Sequence, residues 1–522
     1  MPTPASILMN TVYSQGHHGS SNSFDPLAID GLKLWLDPSD NDSVDIDGSN
    51  GINQVDDKSG NALHLIHNAG LSVAKALLDS DNAIQFEGSN SWNICGGNGG
   101  TGDSDEFNYL HNGTGGTVLL VVKIDSTNIG SFATLFSTGQ YVSSGQSGVA
   151  AWYRDDGAYN SQLATNIVAP SGAPSQAVHG DYGLRLGEYV ILAIKMGGTV
   201  DGSNNDMQVL MNNIFHAGVD KSGTAYSTGD SNWGFLLGST GSGTVGEIHF
   251  KEVLVYEGYL ADSDLLLLHN YLNEKHSVYN SNIGLNLQLG QSNCTGLAQI
   301  INATQFAAYD SVPRTLIYDA KSESGWAQLR ANYTNAGLGS SQFGAEMTFA
   351  IDTIEDTLEE IGIIKYGEGS TTLAIDWANG GEIYEDAIAK INSAIFDLER
   401  NLGRTCYIKS VLFAQGESDA QGLSFSSAYQ ANLISFISRI REDVKGTNHA
   451  TKFILPEIYT DDGATWPYVD EINTAKANVA GLDSTVEIIE NTGFSTIASD
   501  DIHLDASTQE TIGSSWSDAS GY

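Results

Sequence analysis

Residues 283–293 run Ile-Gly-Leu-Asn-Leu-Gln-Leu-Gly-Gln-Ser-Asn, an apolar strand that breaks at Gly290 and delivers Ser292 to the start of a helix. Beyond it the pattern repeats as strand then helix. Apolar strands are expected at 361–366, 405–414, 452–458 and 486–489, with helical periodicity over 345–360, 384–402, 425–444 and 469–480. Alternation of Val/Ile/Leu-rich strands with helices predicts a parallel sheet covered on both faces. Five such strands over 281–522 fit one doubly wound, flavodoxin-like α/β domain. In that architecture ligands bind at the carboxyl ends of the strands, where Ser292 stands.

Before residue 280 the texture differs. Short β-type runs at 32–36, 83–86, 117–124, 133–137, 189–196, 207–211, 233–237 and 247–256 alternate with Gly/Asn/Ser/Asp turns, and the chain holds 58 glycines. This predicts an all-β sandwich of half-buried strands over 25–280. A closing helix is marked by Leu265, Leu268 and Leu272, with Asp262 or Ser263 as its cap. Residues 1–24 are polar and read as a flexible lead-in or attachment segment.

The chain has 522 residues, with 23 Lys+Arg against 63 Asp+Glu and a net charge of −40. So acidic a surface repels phosphate backbones and anionic lipid, which argues against nucleic-acid and membrane partners. It suits divalent cations, high salt and neutral or cationic glycans. No apolar run reaches membrane-spanning length, and Met1 to Ser14 show no secretory signal. Three cysteines without CxxC spacing argue against a disulfide scaffold or a thiolate metal site.

Asp500-Asp501-Ile502-His503 lies far from Ser292 in the chain. Its Asp-x-x-His spacing lets one loop present both side chains: Asp500 to hold the imidazole tautomer, His503 to face a serine as base. Gly145-Gln146-Ser147-Gly148 carries nearly the same letters as 290–293 but reads as a plain turn. Cys294 is read as a packed, inert thiol.

Four blocks then occur in order: 290–293 (Gly-Gln-Ser-Asn), 363–371 (Ile-Ile-Lys-Tyr-Gly-Glu-Gly-Ser-Thr), 413–420 (Phe-Ala-Gln-Gly-Glu-Ser-Asp-Ala) and Asp500-x-x-His503. Together they resemble the SGNH hydrolase superfamily, and within it the sialate O-acetylesterase-like branch, carbohydrate esterase family 6 and relatives. The resemblance covers 283–522 and implies a serine esterase that removes O-acetyl groups from carbohydrate, with no cofactor in the reaction. It makes Ser292 the nucleophile, His503 the base and Asp500 its orienting partner. Backbone N–H groups of Ser292 and Gly369 become oxyanion donors. The third block has Ser418 where many members have Asn, which leaves Gln415 or Ser418 as third donor, Gln415 preferred as a fixed amide donor. Glu346 and Glu417 are either site-shaping or structural. Trp377 is either a sugar-stacking platform or core.

In the first domain, Asp40, Asp42, Asp45 and Asp47 form carboxylate-rich turns that are either a structural calcium site or solvated acids. The run from Gly31 to Asp37, with Asp57, Gly60, Asn61, Gly238 and 247–272, resembles laminin-G-like or concanavalin A-like jelly rolls. That implies glycan binding or a structural role. His17-His18 reads as an incidental pair.

The combination predicts a polysaccharide O-acetylesterase acting as a phage tail fibre or tailspike, in the virion or outside the cell. Its partner is an acetylated polysaccharide, and it forms a homo-oligomer (a trimer for a tail fibre) alongside other virion proteins, without membrane insertion. The alternatives are a glycan-receptor or structural virion protein with an inactive esterase fold, a bacterial extracellular acetylesterase, and a lipase-like or aryl esterase.

Overall fold

A computed structural model describes residues 24–67, 75–86, 93–95, 105–125, 133–138, 148–154, 162–168, 175–181, 187–196, 207–212, 214–217, 234–238, 247–279, 282–299, 309, 312, 314–323, 325–330, 342–357, 359–401, 403–497 and 500–522. The Gly145-Gln146-Ser147 turn, His17-His18 and all but Phe24 of the lead-in lie outside these residues.

Two antiparallel sheets make up the first part of the chain. One is built around Gly116–Ile124, Tyr189–Met196 and Ile248–Glu257, the other around Ala133–Ser137, Gly148–Arg154 and Gln162–Val168. Their facing side chains share one core: Leu120, Val122 and Phe250 from the first meet Phe136, Leu163 and Phe235 from the second. Strand Gly116–Ile124 departs from the half-buried expectation. Its alternate residues Leu119 and Val121 are buried too, beneath Leu265, Leu268 and Leu272 of helix Asp262–His276. That helix starts after Ala261, not on an Asp or Ser cap. Short strands such as Val44–Ile46 and Leu65–His67 extend the second sheet beyond the runs legible in the sequence.

His269 sits inside this helix, fully buried, with Nδ1 2.9 Å from the Leu265 carbonyl. Burial pushes its pKa down to about 4. The unfolded chain therefore takes up a proton near pH 6.5 that the folded one refuses until about pH 4. Stability is then lost as pH falls through that window. The urea midpoint is expected to drop between about pH 7 and about pH 4.5 by less in His269→Met than in the wild type; equal drops would refute this.

Beside a small two-stranded pair, Ala298–Gln299 against Gln342–Phe343, the second part is built around a seven-stranded sheet. In chain order its strands are β1 (Asn282–Gly290), β2 (Thr315–Asp319), β3 (Trp326–Gln328), β4 (Ile361–Gly367), β5 (Thr405–Ala414), β6 (Lys452–Pro456) and β7 (Val486–Ile489). They lie in the order β3-β2-β4-β1-β5-β6-β7, all parallel except edge strand β3. The five-stranded expectation is corrected here, since β2 and β3 extend the sheet past β4. The β2 run Thr-Leu-Ile-Tyr-Asp is only five residues long and is buried on both faces, so it shows no period. Connections run to opposite sides of β1, which puts its carboxyl end at a topological switch point.

The helices that flank the sheet include α1 (Ser292–Thr295), α2 (Glu346–Asp356), α3 (Glu382–Asn401), α4 (Tyr429–Asp443), α5 (Val469–Leu482) and α6 (Ala506–Ser520). Helices α3, α4 and α5 bury Ile391, Phe436 and Ile472 on one face of the sheet. On the other face α2 and α6 bury Phe349, Ile512 and Trp516. The polar members of β1 are therefore not solvated. Asn286 bonds Ser410 (2.7 Å) and Tyr522 (2.7 Å), while Gln288 donates to the Cys294 carbonyl (3.0 Å) and to Glu346 (3.0 Å).

Arg404, just before β5, joins the two parts. Its guanidinium pairs with Glu360 (2.9 Å), donates to the Asn212 carbonyl (3.2 Å) and lies over the Tyr279 ring.

Candidate active site

Gly290 makes the turn that exposes Ser292. Its φ is +144°, and a Cβ there would lie 2.0 Å from the Ala414 carbonyl oxygen. That oxygen accepts the Gln291 N–H at 3.0 Å, so the ends of β1 and β5 are pinched together as only glycine permits. Ser292 follows as the half-buried first residue of α1, where its N–H has no intrahelical partner. Since α1 has only four residues, the helix contributes little macrodipole and the local N–H groups matter more. Gly369, in the exposed turn after β4, faces the same spot: a Cβ on it would stand 3.7 Å from Ser292 Cβ.

The loop before α6 supplies the other half. Asp500 Oδ2 hydrogen-bonds His503 Nδ1, and Asp500 Oδ1 accepts the backbone N–H groups of Ile502 and His503, both at 3.1 Å. Burial alone would raise the Asp500 pKa. The hydrogen bonds from His503 and Ile502 outweigh it and hold the carboxyl below its ordinary range. A carboxylate so placed keeps the proton on Nδ1 and leaves Nε2 as the basic nitrogen. The Asp461 N–H and Thr460 hydroxyl clamp the Asp501 carbonyl from the loop after β6 (3.0 and 2.7 Å).

Asn293 unites the two halves. Its side-chain oxygen accepts the Leu504 N–H at 2.9 Å, and its Nδ2 donates to the Ile502 carbonyl at 3.2 Å. The residue beside Ser292 thus grips the backbone on both sides of His503. Nδ2 also donates to Glu417 Oε1 at 2.6 Å, and Gln509 of α6 donates to the Asn293 carbonyl at 3.0 Å. Neither Asn293 nor Glu417 has a catalytic role assigned from sequence. The available signal was position: a buried polar pair, one adjacent to the serine and one inside the third block.

Several expected residues take other places. Gln415 is fully buried, and its amide donates to the Thr371 carbonyl (3.2 Å) and to Asp419 (2.6 Å) while its oxygen accepts from Tyr429. Both amide hydrogens are spent, so Gln415 is not a free oxyanion donor. Trp377 is also fully buried, edge-on to Tyr366, Phe413 and Phe436, with its indole N–H on Thr371. It is core, with no face left for a sugar. Glu346 is buried and ion-paired to Lys365 at 2.8 Å. Burial pushes the Cys294 thiol up to about 12, in keeping with an inert residue.

The acidic turns of the first domain do not gather into a calcium site. Asp40 pairs with Lys58 (2.9 Å), and Asp47 pairs with Lys75 (2.8 Å) while accepting two backbone N–H groups. Asp42 and Asp45 are exposed, and among the described residues no three of the four carboxylates bring their oxygens together as a ligand group. Lysines from neighbouring segments neutralise what the spacing alone left available.

Residues 283–520 match the family model for carbohydrate esterase, sialic acid-specific acetylesterase. That match takes in nearly all of the second part of the chain, from the first residues of β1 to the end of α6. A probable carbohydrate esterase of Arabidopsis thaliana is 27% identical over 181 residues, 34% of this chain. The match spans 62% of that relative's length. Among solved structures, an Arabidopsis thaliana protein is similar at 21% identity and TM-score 0.37, over 46% of this chain and 98% of the other. A carbohydrate acetylesterase from Xanthomonas citri is similar at 14% identity and TM-score 0.35, over 75% of this chain and 69% of the other.

Proposed function

We propose that the protein is a serine O-acetylesterase acting on an acetylated polysaccharide, with Ser292 as nucleophile, His503 as base and Asp500 orienting it. The observation that carries this is the Asn293 grip on Ile502 and Leu504, which brings the Ser292 turn to the Asp500–His503 pair. In the reaction His503 Nε2 takes the serine proton as the alkoxide attacks the acetyl carbonyl. The backbone N–H groups of Ser292 and Gly369 stabilise the oxyanion, and His503 returns the proton to the departing sugar hydroxyl. Water then releases acetate by the same steps.

We read the second domain as an enlarged flavodoxin-like sheet and the first as a jelly-roll module that holds glycan. The whole is read as a tail fibre or tailspike component, oligomeric and extracellular. The pairing of a sandwich with an esterase domain and the charge of −40 support that reading. The test is acetate release from a panel of acetylated bacterial polysaccharides, together with an assay for the protein in purified virions. Acetate from at least one polysaccharide is expected, with the protein in the particle. No release from any would sink the esterase reading, and absence from virions the tail-fibre one.

A further inference from the structure

The first sheet holds a cluster that the esterase chemistry does not use. In strand Ile248–Glu257, Ile248 and Phe250 enter the core, so Glu247 and His249 face outward. There His249 stands opposite Lys123 on one neighbouring strand and Gln85 on the other, and Asp125 follows two residues after Lys123. Asp79 reaches across from the turn before strand Ile84–Phe86. Although it is on the outer side, His249 is only 4% exposed.

Its two ring nitrogens are differently placed. Nδ1 lies 2.5 Å from Asp79 Oδ2, and the other Asp79 oxygen is fixed by the N–H groups of Asp81 and Ala83, each at 2.8 Å. That arrangement puts the proton on Nδ1. Nε2 is buried and has no hydrogen-bond partner, yet it lies 2.9 Å from Asp125 Oδ2 and 3.7 Å from Glu247 Oε1. A buried ring nitrogen that faces two carboxylate oxygens and makes no hydrogen bond to either is an arrangement a cation would satisfy.

We propose that His249 Nε2, Asp125 and Glu247 form a divalent transition-metal site of the zinc class, with Asp79 as the residue that positions His249. Among the described residues, these three bring their ligand atoms within 4.8 Å of one another. Atoms each about 2.1 Å from one zinc ion stand about 3 Å apart at a right angle and about 3.6 Å apart at about 120°, close to the two separations of Nε2 from Asp125 and Glu247. One imidazole with two carboxylates suits zinc better than calcium, which takes oxygen ligands throughout. A carboxylate behind the ligating histidine is the usual way its ring is oriented. Two neighbouring groups must give way. Lys123 Nζ, 2.9 Å from Asp125 Oδ2, already leans over the Tyr189 ring, and Gln85 donates to Glu247 at 3.2 Å. The metal would pin two neighbouring strand ends and the 79–83 turn together at one end of the sheet. The rival state is a metal-free imidazolium bridging Asp79 and Asp125.

The test uses full-length protein without a polyhistidine tag, stripped with chelator and titrated with Zn²⁺ alone or Co²⁺ alone. Saturable 1:1 Zn²⁺ binding with a rise in Tm is expected, along with a visible Co²⁺ band that Zn²⁺ displaces. Glu247→Gln, at a partly exposed position, should weaken binding at least tenfold, and Asp79→Asn by about 10–100-fold. His249→Gln should lose the Co²⁺ band, with circular dichroism confirming the fold of each variant. No saturable binding by the wild type, or equal binding by wild type and Glu247→Gln, overturns the site. Neither result bears on the esterase reading.

Discussion

Ser292→Ala is expected to lose at least about 10⁴-fold in kcat for acetate release from p-nitrophenyl acetate, and to lose covalent labelling by a fluorophosphonate. The loss should be chemical and not structural. Ser292 is half-buried at the end of a pinched strand whose geometry depends on Gly290 and Ala414, so removing one hydroxyl leaves the turn in place. Tm should therefore stay close to that of the wild type. A folded Ser292→Ala protein that retains full activity would leave the chain with some other nucleophile and remove the basis of the proposed reaction.

Asn293 carries the second large effect. Asn293→Ala strands the Leu504 N–H, the Ile502 carbonyl and one oxygen of Glu417, each at a cost of about 1–3 kcal/mol where water cannot reach. It also frees the backbone on both sides of His503. A displacement of about 1 Å between reacting groups costs about 10²-fold, so kcat should fall by that order with KM little changed. The sharper variant is Asn293→Asp, which keeps the shape and still accepts from Leu504. It sets a carboxylate against Glu417 and the Ile502 carbonyl, and should be worse than alanine at neutral pH. Acidification should narrow that gap, because the introduced carboxyl regains a donor once it is protonated. If Asn293→Asp matched the wild type across pH, the grip would have no part in placing His503.

The long helices of the second domain were legible from their 3.6-residue period, and five of its strands as apolar runs set between or beside those helices. β2 was not, since a short strand covered on both faces has no period to read. The Ser292, Asp500 and His503 positions stood out through their order and spacing, whereas the contact that joins them did not. Asn293 is polar beside a polar serine, and only the folded chain shows its amide spanning Ile502 and Leu504. Trp377 could be placed near the site from sequence but not given a facing. The aspartates at 40–47 misled because their lysine partners come from 58 and 75. The His249 cluster escaped notice for the opposite reason: its members are spread from 79 to 249.

The bond from Leu504 to Asn293 joins residues 211 positions apart. Closing so long a loop is entropically unfavourable until the intervening strands and helices have already condensed. Partly folded chains, however rich in secondary structure, would then be catalytically silent, and the appearance of turnover during refolding would mark the last step of assembly, not an early one.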